Sequence, residues 1–296
     1  MARAAAIRSL PFRPAAKPEL GFEMFRLSDL YARAQQRRLD HALEAPQRPD
    51  FHTVYVGIRG RGRILVDFTP VPLGANTVTF VARGRVQSFD ARSGADAWML
   101  LFAPEFLASG PTSADPLAAS SVLAAMWTSP SIAVPPALHQ ELLRVVELLA
   151  AEDARPLDEM QPWVLSALLR TLLLQTARLA GRIAPRHASL GKFFTILERD
   201  HARTRSVAHY ARAAGLSPRR LAELLVAETG KSTKQIVDDR VVLEHKRLLA
   251  GTRLSVKEIA ARTGFDEPTN LVKFFRHHTG MTPLEFRRNL PSGRLS

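Results

Sequence analysis

The 296-residue sequence contains no cysteine, which excludes disulfides, thiolate metal sites and cysteine nucleophiles and suits a reducing interior. Long apolar runs are missing too. The most hydrophobic stretch, Trp163 to Leu174, is broken by Arg170 and followed by Gln175 and Arg178, short of the roughly 18 uninterrupted residues of a membrane span. Neither a Gly-x-Ser-x-Gly elbow nor a Walker-type loop occurs, so the common local signatures of serine hydrolases and nucleotide hydrolases are absent. The first 18 residues carry arginines and no acid. They lack the apolar core of a secretory signal and read as a flexible arm over residues 1 to 20.

Acidic residues are the minority charge, 28 Asp/Glu against 41 Lys/Arg for a net charge of +13. Residues 186 to 296 hold 21 Lys/Arg against 11 Asp/Glu, and residues 1 to 185 hold 20 against 17. The excess is therefore C-terminal, where the chain also echoes itself. Ser206-Val207-x-x-Tyr210-Ala211-x-x-x-Gly215-Leu216 returns as Ser255-Val256-x-x-Ile259-Ala260-x-x-x-Gly264-Phe265. Each copy supplies a hydroxyl cap, a small Ala where another helix packs, and a Gly at the turn before a second helix. Leu221 and Leu225 then match Leu271 and Phe275 one residue later than the first half does, so the second turn carries an extra residue. Both copies close in Thr-Gly, at Thr229-Gly230 and Thr279-Gly280. The spacing predicts two helix-turn-helix units, and a basic region coinciding with them is the footprint of a phosphate-binding surface. Between them, Ser232 to Ala250 reads as one helix ended by Gly251, about 28 Å long. Set against a DNA turn of roughly 34 Å, that length can hold the units over successive major grooves.

Residues from about Leu190 to Leu290 resemble the DNA-binding region of the AraC/XylS-type transcription regulators. The stretch Gly264-Phe265 through Lys273-Phe274-Phe275-Arg276 to Thr279-Gly280-Met281-Thr282-Pro283-Leu284-Glu285-Phe286-Arg287-Arg288 carries the likeness nearly position by position. In each unit the second helix is expected in the groove, with its early outward residues toward base edges. With Leu216, Leu221, Leu224 and Leu225 inward, Arg219, Arg220 and Glu223 are the candidate DNA contacts of the first unit. With Leu271, Phe274 and Phe275 inward, Thr269, Asn270 and Lys273 are the candidate base readers of the second, and Arg276 a phosphate contact. The family usually places a longer polar side chain where this chain has Ala222 and Val272, so readout there would be apolar.

Upstream, short β segments at Thr53–Ile58, Arg63–Phe68, Thr77–Val81, Val86–Phe89 and Trp98–Phe102 are separated by Gly, Pro and Asn, the pattern of a small sandwich or barrel. Arg59-Gly60-Arg61-Gly62-Arg63 reads as a hairpin turn. Pro49-Asp50-Phe51-His52, Val81 to Phe89 and Leu100 to Leu107 are similar to the cupin-like effector domain that precedes the DNA-binding region in many AraC-type regulators, with Arg83-Gly84-Arg85-Val86-Gln87 standing where a Pro-Gly-x-Val-His stretch is usual. His41 and His52 are the nearby histidines, too scattered for a metal site, so no metal or other cofactor is expected. Tyr55, Phe80, Gln87 and Trp98 are candidates to line an effector site. Two Leu-rich helices follow a Ser/Pro-rich stretch from Thr128 to Pro136: one with Leu138, Leu142, Val145, Val146 and Leu149 on a face, the other with Leu165, Leu168, Leu169, Leu172, Leu173 and Leu179. In the family such helices often make the dimer contact, and packing on the chain's own barrel is the alternative. A turn from Gly181 to Arg186 precedes a helix that Ser189 can cap.

The expected fold class is therefore α+β: a flexible arm over 1–20, a cupin-like effector domain over 21–130, linker and dimerisation helices over 131–185, and an all-α region with two helix-turn-helix units over 186–296. The expected function is a cytoplasmic, nucleoid-associated transcription regulator, an activator rather than an enzyme. Its expected partners are double-stranded promoter DNA, a small-molecule effector, a second copy of the chain and RNA polymerase, with no membrane. The competing readings are a cupin-type enzyme with a basic appendage, which stoichiometric iron, manganese or zinc would mark, and a nonspecific architectural DNA binder.

Overall fold

The computed structural model describes residues 7–37, 43–90, 94–108, 131–179 and 188–289. The chain divides into two compact units, Ser9–Arg186 and His187–Ser296, the latter grouped with Met1–Arg8.

The N-terminal unit runs through β1 (Arg8–Leu10), a 3-10 turn (Pro18–Leu20), β2 (Phe22–Arg26), α1 (Leu27–Gln36), β3 (Gln47–Pro49), β4 (His52–Arg59), β5 (Arg61–Val66), β6 (Thr69–Gly74), β7 (Thr77–Val81), β8 (Gln87–Phe89), β9 (Asp96–Phe102), α2 (Pro104–Ala108), β10 (Ser131–Ala133), α3 (Pro136–Asp153) and α4 (Gln161–Leu179). The strands form two five-stranded sheets, ordered β1-β3-β8-β5-β6 and β10-β7-β4-β9-β2. In the second sheet the central β4 sets Val54 opposite Phe80 and Leu100, and Val56 opposite Val78 and Trp98. Successive side chains alternate between faces. Val54, Val56, Val78, Phe80, Leu100 and Phe102 meet α3 and α4 in one core, whereas Tyr55, Ala97, Met99 and Leu101 meet Ile64, Val66, Val71, Leu73 and Phe89 of the first sheet in another. Both sides of this sheet are covered, which is why β4 and β9 read as nearly unbroken apolar runs.

Several expectations change in this unit. Asp67 and Phe68 have φ of 49° and 67°, the left-handed pair of a tight hairpin turn, so the strand expected through Phe68 ends at Val66. A further strand follows, β6, whose Pro70 and Pro72 disguised it. Proline lacks the amide that a ladder needs and is tolerated here because β6 is the sheet's edge. The Arg59–Arg63 stretch is no hairpin: it carries the chain from β4 in one sheet to β5 in the other, turning at Gly60 with φ of 73°. Nor are residues 7–20 a loose arm. β1 forms the edge of the first sheet, and Phe12 N donates to Asp50 Oδ1 at 2.7 Å. Lys17 Nζ then donates to the carbonyl of Arg155 at 2.8 Å and to Gln161 Oε1 at 3.0 Å beyond the end of α3.

The leucine stripe of α4 takes the alternative to dimerisation. Leu165, Leu169, Leu172 and Leu173 are fully buried against the chain's own sheet. The Leu179 side chain, His41, and the stretches 128–130 and 181–186 lie outside the described residues.

The C-terminal unit holds α5 (Ala188–Asp200), α6 (Val207–Ala213), α7 (Pro218–Thr229), α8 (Thr233–Gly251), α9 (Val256–Arg262), α10 (Pro268–Thr279) and α11 (Pro283–Arg288). Ser189 falls inside the first turn of α5 rather than before it. Two cores share α8. Ile236 and Val237 join Leu190, Phe193, Leu197, Tyr210, Leu221 and Leu225, and Val241, Val242 and Leu249 join Ile259, Phe265, Leu271 and Phe275.

Because Leu169 has no exposed surface, Leu169→Ala should destabilise the N-terminal unit by about 2–5 kcal/mol. Urea unfolding measures this, and the loss should be independent of protein concentration; a contact between copies would make it concentration-dependent.

Candidate nucleic-acid interface

Each half of the C-terminal unit pairs a seven-residue helix, α6 or α9, with a twelve-residue one, α7 or α10. Ser206 accepts from His209 N at 3.3 Å and Ser255 from Glu258 N at 3.2 Å, the hydroxyl caps that start each pair. Ala211 and Ala260 are buried. Gly215 and Gly264 turn the chain at φ of 73° and 70°, a conformation that side chains disfavour. The pairs then differ at the slip seen in the sequence. Ser217 caps α7 by accepting from Arg220 N at 3.2 Å, whereas α10 begins after Glu267 without a side-chain cap. The N-capping role of Ser217 was not anticipated, although Ser before Pro at a helix start is the residue order that signals it.

Leu221, Leu224, Leu225, Leu271 and Phe275 are buried, and Leu216 and Phe274 partly so. The opposite faces are therefore exposed. On α7, Arg219 and Arg220 flank Glu223, whose carboxylate accepts from Arg219 Nε at 3.0 Å and Arg220 Nη1 at 3.3 Å. These hydrogen bonds, Arg219 foremost, hold the Glu223 carboxyl below its ordinary range. The Arg219 side chain is 91% exposed, and pairs so open to water are weak and salt-screened, so both guanidiniums remain available to an outside anion. On α10, Thr269 Oγ1 donates to Glu267 Oε2 at 3.1 Å, and Asn270, Lys273 and Arg276 are exposed beside it. Ala222 and Val272 are half-buried.

Beneath α10 lies His245, with 0% exposure, among the rings of Phe265, Phe274 and Phe275 at 5.2, 5.9 and 6.2 Å. Thr263 Oγ1 donates to the Ile259 carbonyl and therefore accepts from His245 Nε2, 2.9 Å away. The imidazole is thus a neutral Nε2–H donor. Burial lowers its pKa to about 4, Arg205 and His201 push the same way, and Glu244 opposes them. Beside this core, Arg240 on α8 binds Glu198 of α5 at 2.8 Å and Glu244 at 3.2 Å. That connection joins residues 42 apart in the chain, beyond the reach of local spacing.

The four effector candidates do not converge. Tyr55 and Gln87 meet in the core between the sheets, where the Tyr55 hydroxyl donates to Gln87 Oε1 at 3.1 Å. Phe80 and Trp98 face the opposite way, toward the α3/α4 side, and the Arg26 guanidinium lies 5.3 Å from the Trp98 ring. His52 is half-buried beside the core: its Nδ1 accepts from Arg83 N at 3.1 Å, its ring stacks on Phe80 and Phe102, and burial foremost lowers its pKa to about 4. Among the described residues no group of three or more His, Asp or Glu is placed to hold a metal.

Residues 210–289 match the family described as "Helix-turn-helix domain". The C-terminal region is a helix-turn-helix domain. More narrowly it is of the AraC type, and its relatives are AraC/XylS-type regulators. It is 42% identical over 76 residues to the uncharacterized transcriptional regulatory protein YesN of Bacillus subtilis, covering 25% of this chain and 20% of YesN. It is 32% identical over 81 residues to the arabinose operon regulatory protein of Salmonella typhimurium, covering 27% of this chain and 29% of that one. A longer match, 31% identical over 149 residues, reaches the HTH-type transcriptional regulator GlxA of Rhizobium meliloti, covering 49% of this chain and 44% of GlxA. The chain thus spans less than half the length of each of these relatives.

An unfolded imidazole binds its proton near pH 6.5 and His245 in the fold near pH 4, so the folded state is the proton-poor one between those values. The stabilisation is complete above pH 6.5 and is lost as pH falls toward 4, by at most about 3 kcal/mol. Thermal unfolding at pH 7, 5.5 and 4.5 should show this decline, and His245→Gln should flatten it.

Proposed function

We propose that this protein is a sequence-specific, DNA-binding transcription regulator, an activator that answers to a small-molecule effector. The observation that carries the reading is the repeated helix pair: two twelve-residue helices, each buried on one side and exposing polar side chains on the other, Arg219 and Arg220 among them on α7 and Lys273 and Arg276 on α10. The match of residues 210–289 to a helix-turn-helix family and the transcription-regulator relatives support it. The pairs act as two DNA-reading units. In the first, Arg219 and Arg220 contact guanine or phosphate and Glu223 accepts from a cytosine amino group; in the second, Thr269, Asn270 and Lys273 read base edges while Arg276 meets phosphate. The connecting α8, about 28 Å long, holds them over successive major grooves.

The N-terminal sandwich is read as the cupin-like effector domain. Its site centres on Tyr55 and Gln87, which share one core and present a hydroxyl and an amide to a ligand. An effector that binds one arrangement of the protein better by about 1–3 kcal/mol changes operator occupancy roughly 5- to 150-fold. Two copies assemble through side chains that the monomer leaves exposed between and along α3 and α4, namely Leu157, Met160, Trp163 and Val164. Exposed apolar groups clustered this way are the usual mark of a contact surface. RNA polymerase is the partner that activation requires.

Selection of bound duplexes from a randomised pool tests the reading directly, and equal affinity for the selected and a random duplex would remove base readout. Arg219→Ala and Lys273→Ala should each weaken binding to the selected duplex by about 1–3 kcal/mol, each relaxing preference in one groove only. A loss that is uniform across sequences assigns the residue to phosphate instead. Trp163→Glu should turn a dimer into a monomer in analytical ultracentrifugation with the circular dichroism unchanged.

A further inference from the structure

The two helix pairs are joined by more than α8. Residues 201–206, between α5 and α6, are pinned first to their own pair. The Tyr210 hydroxyl donates to the Thr204 carbonyl at 2.7 Å and Ser206 N donates to Thr204 Oγ1 at 3.2 Å, while just before the segment Asp200 Oδ2, at the end of α5, lies 2.7 Å from His209 Nε2. The same segment then lies against the other pair. The Arg205 guanidinium sits 3.8 Å from the centre of the Phe265 ring and 5.7 Å from that of Phe274, a side chain of α10 itself. A methyl placed on Gly264 would come within 3.1 Å of the Ala202 carbonyl oxygen and 3.4 Å of that of Arg203.

The duplication supplies an internal control. Gly215 occupies in the first pair the position that Gly264 occupies in the second, at nearly the same φ, yet a methyl on Gly215 would meet nothing within 4 Å. The residue matching Arg205 in the second copy is Leu254. Neither the close approach nor the stacked guanidinium is therefore a requirement of the helix pair as such. Both belong to the junction of one pair with the other.

We propose that Arg205 is a positioning residue that sets the spacing at which α7 and α10 engage DNA, by strapping the entrance of the first pair onto the core of the second. A guanidinium face on a largely buried ring is among the stronger contacts of its kind. It leaves the first pair anchored to the second at a point off the α8 axis. A single helical strut resists bending more than it resists local swivelling of what packs on it; a second attachment removes that freedom. One added base pair rotates a half-site by about 35° and shifts it by about 3.4 Å, a change that a strapped pair of readers cannot follow.

The inference rests on α7 and α10 being the DNA-reading helices, and two measurements separate it from that reading. Because the chain has no cysteine, Ala227→Cys and His277→Cys, both at exposed positions of the two helices, accept spin labels at those sites alone. The labelled protein should give a narrow distance distribution, and Arg205→Ala should broaden it. Gly264→Ala should broaden it as well, whereas Gly215→Ala, equally left-handed but open, should not. Should Arg205→Ala fail to fold by thermal unfolding, Arg205→Gln, which lacks the guanidinium face, is measured in its place. An unchanged width in the folded Arg205 variant overturns the proposal.

On duplexes selected by the wild type, a base pair inserted between the half-sites should weaken wild-type binding about 10- to 30-fold, and binding of the Arg205 variant under about threefold. If the variant discriminates spacing as sharply as wild type, the strap has no such role. If the wild type selects no sequence at all, it is the reading of α7 and α10 that fails, and the distance distributions alone decide the strap.

Discussion

A helix can be offered to a duplex only if its far side is held, and in both pairs the hold is two side chains one turn apart. Leu221 and Leu225 in α7, and Leu271 and Phe275 in α10, have no exposed surface. Every outward residue of these helices owes its position to those anchors, since i and i+4 fix the rotation of the whole element. Both sets of anchors close on α8, with Val237 and Val241 one turn apart at the join of the two cores. The exposed faces of α7 and α10 are thus referred to one common axis. Loss of an anchor would turn a face, not merely loosen it.

The N-terminal unit solves a different problem with the same economy of pattern. Its second sheet is covered on both sides, so alternate residues of one strand belong to different cores: Tyr55 faces the first sheet while Val54 and Val56 face α3 and α4. That alternation parts Phe80 and Trp98 from Tyr55 and Gln87. A polar or aromatic residue on a strand signals a site only once its side of the sheet is known, and register decides the side.

How far the residues alone disclose this structure depends on the distance over which each feature is determined. Caps, turn glycines and helical stripes are fixed within a few residues, and α6 and α9 lie where the echo of Ser206 to Gly215 in Ser255 to Gly264 puts them. The one-residue slip is local as well, and it surfaces as the change from a Ser217 cap to an uncapped Glu267. Features set by distant partners stay hidden. β6 was masked by Pro70 and Pro72, which are compatible with a strand only at a sheet edge. The leucines of α4 announce a buried face but not against what, and Lys17, inside a segment that looks like an arm, finds its partners beyond residue 150. The Arg205 contact with Phe265 spans 60 positions, and nothing near either residue foretells it.

The same two-sided cover has a practical meaning for how the chain can be divided. The compact unit extends from Ser9 to Arg186, past Ala133, where the last strand ends. A fragment stopped there would lack α3 and α4 and lay bare Val54, Val56, Val78, Phe80, Leu100 and Phe102 together on one twisted surface. Such a surface favours clumping over folding. During synthesis that side of the sheet must likewise await residues still inside the ribosome, so the helical hairpin serves as the lid that makes the nascent sandwich soluble.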